Sequence, residues 1–314
     1  MSKEIVPLDK PIIEDKAQRM TQRKESLDVL AVSLLVGFNV LLGLNQALVK
    51  LVNAGFSPVF QAGLRSICAF LPVLLFAWFM RRRLSISDGS LPWGLINGLL
   101  FSIEFSLLFI ALDYTTVARV SLFFYMMPLW VAVAAHFLIP EEPLNRNKIM
   151  GLGLAISGAV LGLSGNLGDA GASAWLGDLL ALLAGTLWAS IALVTRLKLG
   201  TVSSEMNLLY QLFVSGILLT GLGIMLGDPI RSPTALIYGV FLFQVLVIVA
   251  AGFLVWFWVL QHYPVSNMAS LSLITPVVGV FFGWLIFDDP ITLSLGAALI
   301  LIGAGIVLVN RPVG

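Results

Sequence analysis

The chain has 314 residues, 59% of them hydrophobic and 11% charged, with a formal net charge of +1 and a mean hydropathy of +0.98. That charged fraction is about half that of a soluble domain, which excludes a water-soluble globular fold, and a net charge so near zero gives no sign of a nucleic-acid partner. The one cysteine, Cys68, lies inside an apolar stretch and excludes both a disulfide and a cysteine-based metal site.

Residues 1–28 are polar, with six Lys or Arg, six Asp or Glu, Pro7 and Pro11, and no apolar core of the kind a signal peptide carries. They read as a solvated cytoplasmic tail. After them the sequence predicts ten stretches that each approach the roughly 20 apolar residues a helix needs to cross a bilayer. Numbered as spans 1 to 10, they cover about 29–49, 58–80, 92–112, 116–138, 147–165, 174–195, 205–226, 235–260, 265–287 and 292–309. The connections are short and leave no room for a separate soluble domain. An all-α polytopic membrane protein is expected.

The basic residues orient it. The tail, the loops after spans 2, 4 and 6, and the C-terminus carry Arg81, Arg82, Arg83, Arg146, Lys148, Arg196, Lys198 and Arg311, whereas the opposite loops hold Lys50 and Arg231. Lys- and Arg-rich loops stay in the cytoplasm, so both termini are expected there, in a multi-pass protein of the bacterial inner membrane.

Two spans contain a proline and end in an acidic turn: Pro128 before Glu141-Glu142-Pro143, and Pro276 before Asp288-Asp289-Pro290. A proline in an apolar helix frees a backbone carbonyl and kinks the helix, which lipid tolerates only where protein or a watery cavity satisfies that group. At a shift of 148, Pro128 falls on Pro276, Glu141 on Asp289, Gly37 on Gly185 and Lys50 on Lys198. The chain is therefore expected to hold two repeats, 29–165 and 174–309, of five helices each. Five is odd, so the second enters the membrane from the other side, an inverted repeat of the kind that builds a transport site at the midplane.

Ala111-Leu112-Asp113-Tyr114-Thr115-Thr116 running into Pro128, Gly151 to Gly158, Gly177-Asp178-Leu179-Leu180-Ala181-Leu182 running to Trp188-Ala189, and Pro276 through Asp289-Pro290 to Gly296 and Gly303 resemble the drug/metabolite transporter superfamily, in its ten-helix EamA-type branch. The resemblance covers nearly the whole chain beyond the tail. It implies a secondary transporter of a small organic solute, an amino acid or related metabolite, working by alternating access, with export the commoner direction among bacterial relatives and uptake or exchange the alternative. Where the second half would echo Tyr114-Thr115-Thr116 it has His262-Tyr263-Pro264, so the two loops are not equivalent.

The intramembrane charges are the sharpest candidates for a site. Glu104 falls about twelve residues into span 3, roughly 18 Å along it, and Arg65 and Arg119 lie in the outer halves of spans 2 and 4. Such charges cost at least ~2.5 kcal/mol at the membrane centre and face the bundle interior. Three readings stand. Glu104 forms a structural ion pair with Arg65 or Arg119; an arginine holds a substrate carboxylate by a two-pronged bond; or Glu104 carries a coupling proton.

Tyr125, Trp188, Trp256 and Gln211 are candidate pocket residues, as are Asn39, Ser272 and Thr275, which could equally bond between helices. Ser270 and Ser272 cannot share a face, so one at most points inward. Trp78, Trp93, Trp130, Trp175 and Trp284 read as interface anchors. Gly151 with Gly158, and Gly296 with Gly303, read as packing elements or a homodimer seam.

A rival reading is an intramembrane serine hydrolase, since Gly162-Leu163-Ser164-Gly165 matches a Gly-x-Ser-Gly motif. The two histidines, His136 and His262, both fall near the cytoplasmic ends of their spans, about 30 Å from Ser164 across the hydrocarbon core, and neither can serve it as a base. No nucleotide, zinc or dinucleotide motif is present; no enzyme activity, cofactor or metal is expected, and transport would draw on an ion or solute gradient.

Overall fold

The computed structural model describes residues 29–82, 84–140, 142–164, 173–252, 255 and 274–309. Its helices are α1 (Val29–Asn53), α2 (Pro58–Phe79), α3 (Leu91–Tyr114), α4 (Val117–Phe124), α5 (Met127–Leu138), α6 (Arg146–Ser164), α7 (Ala174–Lys198), α8 (Ser204–Met225), α9 (Ala235–Phe243), which continues as a π-helical segment over Gln244–Gly252, α10 (Ile274–Phe287) and α11 (Leu293–Val309). Among the described residues seven helical stretches are long and apolar enough to cross a membrane, counting α4–α5 as one, while α10 and α11 are apolar but shorter. Leu71, Phe79, Phe213, Ile217 and Ile300 are exposed, as a surface facing hydrocarbon allows.

Span 4 is two helices. α4 ends at Phe124, Tyr125 and Met126 turn, and α5 starts at Met127 with Pro128 in its first turn, where a missing N–H breaks no helical bond. The carbonyl of Phe124, four residues before Pro128, loses its usual partner. α7 comes up against it at Gly185, where a Cβ would sit 2.8 Å from that oxygen. The described part of α10 begins two residues before Pro276, so whether that helix is likewise broken falls outside the described residues.

The principal packing partners are α2 with α8, α6 with α11, α3 with α7 and with α8, α1 with α10, and α4 with both α10 and α7. Exchanging the first five spans with the second five maps α2–α8 and α6–α11 onto themselves, α1–α10 onto α7 against α4–α5, and α3–α7 onto α9 against α1, all of which are present. The helices do not keep one constant shift. α2 and α8 start 146 residues apart and α3 and α9 start 144 apart, so the loops differ in length around a common pairing.

Small residues set the close crossings, because lipid offers no hydrophobic drive between helices and backbones must approach for dispersion to act. In the α6–α11 seam a Cβ on Gly151 would lie 2.6 Å from the Gly305 carbonyl, and one on Gly305 would lie 2.5 Å from that of Gly151. Gly158 meets the Ala298 carbonyl. Of the glycines expected to be packing elements or a homodimer seam, Gly151 and Gly158 pack inside the protein against α11, whereas Gly296 and Gly303 have open space before them. Among the tryptophans, Trp78 and Trp175 are well exposed, whereas Trp130 packs against the core and its indole nitrogen is buried with no partner. Trp130 is no interface anchor, since it lies in the turn after the break and faces inward with Leu129.

Candidate functional site

The polar contacts fall into three layers. At one end of the bundle, where α1, α3 and α10 finish and α2, α4, α7 and α9 begin, charges from both halves interlock. Asp178 of α7 takes the Arg119 guanidinium through two nitrogens, Nε lying 2.8 Å from Oδ1 and Nη2 bonding Oδ2. Thr115 Oγ1 donates to the same carboxylate at 3.2 Å. Lys50 Nζ donates to the Thr115 carbonyl at 2.7 Å, and Arg231 reaches Asp113 at 3.2 Å. Asp289 accepts from the Val117 N–H at 2.9 Å and the Ala118 N–H at 3.4 Å, while Thr116 caps Arg119 N. A carboxylate at a helix N-terminus meets free N–H groups and the positive end of the dipole. Burial still pushes the Asp289 carboxyl above its ordinary range, against the pull of Lys50 and the two N–H groups.

At the other end Arg82 pairs with the buried Glu205 at 3.0 Å, Arg196 pairs with Glu142, and Ser90 bonds the Tyr210 hydroxyl at 2.9 Å. Asn97 Nδ2 donates to Thr195 Oγ1 and Asn207 Oδ1 at 3.0 and 2.9 Å, tying α3, α7 and α8. The Arg196 contact holds the Glu142 carboxyl below its ordinary range.

Between these ends lies the layer that carries the candidate site. Glu104, fourteenth of the 24 residues of α3, is 3% exposed, and Arg65 of α2 is 4% exposed. They act on each other through space, but no hydrogen bond or close ion pair joins them. Arg65 instead stacks its guanidinium over the rings of Phe105 and Phe109, 4.8 and 4.7 Å from their centroids, and makes a long 3.4 Å bond to Asn45 Oδ1. Tyr125, at the break between α4 and α5, is buried, and Gln46 Oε1 of α1 is buried with no hydrogen-bond partner. Trp188 of α7 stacks on Phe124 at 4.9 Å and 12° and meets Tyr125 edge-on at 5.9 Å. Thr275 of α10 donates to Asn39 Oδ1 of α1 at 2.7 Å.

The structure therefore gathers Glu104, Arg65, Tyr125 and Trp188 into one layer between the two ends of the bundle and bonds Asn39 to Thr275. Arg119 is removed from it. Of the two arginines expected as possible partners of Glu104, Arg119 is not one, because it sits in the first turn of α4 and its charge is taken by Asp178. Gln211 is buried in α8 but makes no hydrogen bond to this layer among the described residues, and Trp256 and Ser272 lie outside the described residues. His136, on α5, accepts from Leu144 N beside the start of α6, whereas Ser164 ends that helix, 19 residues long, about 28 Å away. His262 lies outside the described residues.

Asp178 as the partner of Arg119, and the amides Asn45, Gln61 and Gln244, were not picked out by sequence reasoning. The signal for the amides was present: an uncharged amide in an apolar span needs a partner as surely as a charge does. Two cavities, of about 90 Å³ between α4, α10 and α11 and about 10 Å³ beside Arg65, border the layer. Metal-ligand clusters of three or more His, Cys, Asp or Glu are absent among the described residues.

Comparison with known proteins places this geometry. The EamA-like transporter family matches twice, over residues 29–164 and 175–311. A Bacillus subtilis protein named uncharacterized transporter YoaV is 28% identical over 250 residues, 78% of this chain and 85% of its own. An Escherichia coli protein named probable amino-acid metabolite efflux pump is 24% identical over 279 residues, 84% and 90% of the two chains. A solved crystal structure shares the fold at a TM-score of 0.63, with 18% identity and coverage of 90% of this chain and 96% of that one.

Proposed function

Because the chain belongs to the EamA-like transporter family, within the drug/metabolite transporter superfamily, we propose that it is a secondary transporter moving an amino acid or a related small metabolite across the plasma membrane by alternating access. The observation that carries this is the Arg65–Glu104 arrangement. A cation and an acid are both buried at the membrane midplane, against elements from both halves, and are not spent on each other. Holding two such charges apart costs several kcal/mol, and a stability role would be better served by direct contact. A zwitterionic solute supplies the missing partners, its carboxylate on Arg65 and its ammonium on Glu104, beside the aromatic wall of Tyr125 and Trp188. The name of the Escherichia coli relative agrees with that substrate class and with export.

The ten spans, in two halves of opposite orientation, put both termini in the cytoplasm. The Arg119–Asp178, Lys50 and Arg231–Asp113 contacts then close the external face over the site, and opening outward requires those ion pairs to part. Coupling to a proton is assigned to Glu104, the acid buried in the middle of α3.

The test is transport in proteoliposomes. Glu104→Gln is expected to abolish accumulation driven by a pH gradient and to weaken apparent affinity, because the substrate's ammonium loses its charged partner. Arg65→Lys is expected to weaken apparent affinity without changing the pH dependence, because the charge stays and the planar fork is lost. Wild-type behaviour of both variants would overturn the reading.

A further inference from the structure

Gln61 of α2 and Gln244 of the π-helical segment are each 0% exposed. Their one mutual bond, Gln61 Nε2 donating to Gln244 Oε1, is long at 3.5 Å, and it leaves Gln61 Oε1 and Gln244 Nε2 buried with no partner. An acceptor and a donor are thus left unmet in a part of the protein where water cannot compensate them. Two apolar side chains of similar volume would fill the same space without that penalty.

Their position is informative. Gln61 is one helical turn from Arg65 on the same face of α2. Gln244 opens the stretch where α9 changes to π winding, a feature common at functional positions. Val249, one π turn further on, lines the small cavity that Arg65 also lines. Two independent elements thus place the amide pair one turn from Arg65, about 5 Å away along each axis, the reach of a short side chain.

We infer that the Gln61–Gln244 pair is the specificity subsite for the substrate's side chain, and that it takes a carboxamide. The ligand's carbonyl accepts from Gln244 Nε2 and its NH₂ donates to Gln61 Oε1, so both unmet groups are satisfied by one neutral, planar group. A carboxylate would meet the Gln61 acceptor with like polarity, and an aliphatic side chain would leave both groups unpaired. This inference rests on the reading of Arg65 and Glu104 as the site for the α-carboxylate and α-ammonium.

Binding of L-glutamine, L-asparagine, L-leucine and L-glutamate to the full-length protein in nanodiscs, by calorimetry, tests it. A site built to hydrogen-bond a group rejects the analogue that lacks it, so the wild type is expected to favour glutamine or asparagine over leucine at least about tenfold. Gln61→Leu and Gln244→Leu are expected to bring that ratio close to one while leucine still binds, and Gln61→Met and Gln244→Met, unbranched and of similar length, serve where a leucine variant does not fold. Equal wild-type binding of glutamine and leucine, or a preference that survives both substitutions, overturns the subsite and leaves the pair as packing. Failure of every one of these amino acids to bind, or binding indifferent to Arg65→Lys, overturns the parent reading and the subsite with it.

Discussion

Asp178, near the start of α7, and Arg119, in the first turn of α4, form a two-pronged ion pair that joins the two halves of the chain, with Nε 2.8 Å from Oδ1 and side chains 1% and 9% exposed. Removing one partner leaves the other charged, buried and unpaired. Asp178→Leu or Arg119→Met alone is expected to destabilise the protein by about 3–5 kcal/mol. The double replacement Arg119→Met with Asp178→Leu is expected to recover much of that. Unfolding of the four proteins in detergent, followed by intrinsic fluorescence, gives the coupling; a value near zero would mean the pair is not formed in the membrane protein.

The break at Tyr125 brings Tyr125 and Trp188 together. Pro128→Ala supplies the missing N–H to the Phe124 carbonyl and allows α4 and α5 to run on as one helix. Transport is expected to fall severalfold with insertion into the membrane unchanged, assayed by uptake into proteoliposomes and by membrane fractionation. Full transport by the alanine variant would make the break a packing feature alone.

On the facing helix, Gly185→Ala puts a methyl group 2.8 Å from the Phe124 carbonyl. Overpacking at that contact is expected to cost about 1–3 kcal/mol. The matching experiment on the α6–α11 seam compares Gly151→Ala, which meets the Gly305 carbonyl at 2.6 Å, with Gly296→Ala, which meets nothing within 4 Å. Thermal unfolding should drop for the first and stay put for the second, and equal shifts would contradict the seam.

Glu142 and Arg196 form the contrasting case, an ion pair whose side chains are 36% and 52% exposed. Solvent screening limits such a pair to roughly 0–1 kcal/mol, so Glu142→Gln should be nearly silent at neutral pH. The Glu142 carboxyl is held below its ordinary range. The folded state therefore binds its proton less readily than the unfolded chain does, and the pair's contribution is fully present above the ordinary glutamate range. It is lost as pH falls through the lowered folded value. Unfolding curves of wild type and Glu142→Gln should converge on acidification; divergence would exclude the pair.

Reporter fusions test orientation. Fusions after Met80 and Lys198 are expected to read cytoplasmic and fusions after Arg231 and Asp288 external, because the Lys- and Arg-rich loops fall on the first side. Two fusions from the same side that disagree would break the ten-span topology.

The amino-acid order alone carried the membrane class, the positions of most spans and the break in span 4. Each of these is local: a bilayer requires about 20 apolar residues in a row, and a proline acts on a carbonyl four residues away. Proximity of Glu104 to Arg65 was legible as one of two choices, since a buried charge must answer to another, but spacing could not choose between Arg65 and Arg119. That choice was made by tertiary structure, through Asp178, an acid 59 residues along the chain from Arg119, and through Phe105 and Phe109, over whose rings the Arg65 guanidinium stacks. The bond between Gln61 and Gln244, 183 residues apart, and the contact of Gly151 with Gly305 are of the same kind. They depend on how far one helix slides and turns against another, and in lipid, where every helix face is apolar, hydrophobic periodicity records no preferred partner. Only the packing of backbones at small residues, and the pairing of the few polar groups that lipid will not solvate, decides that register.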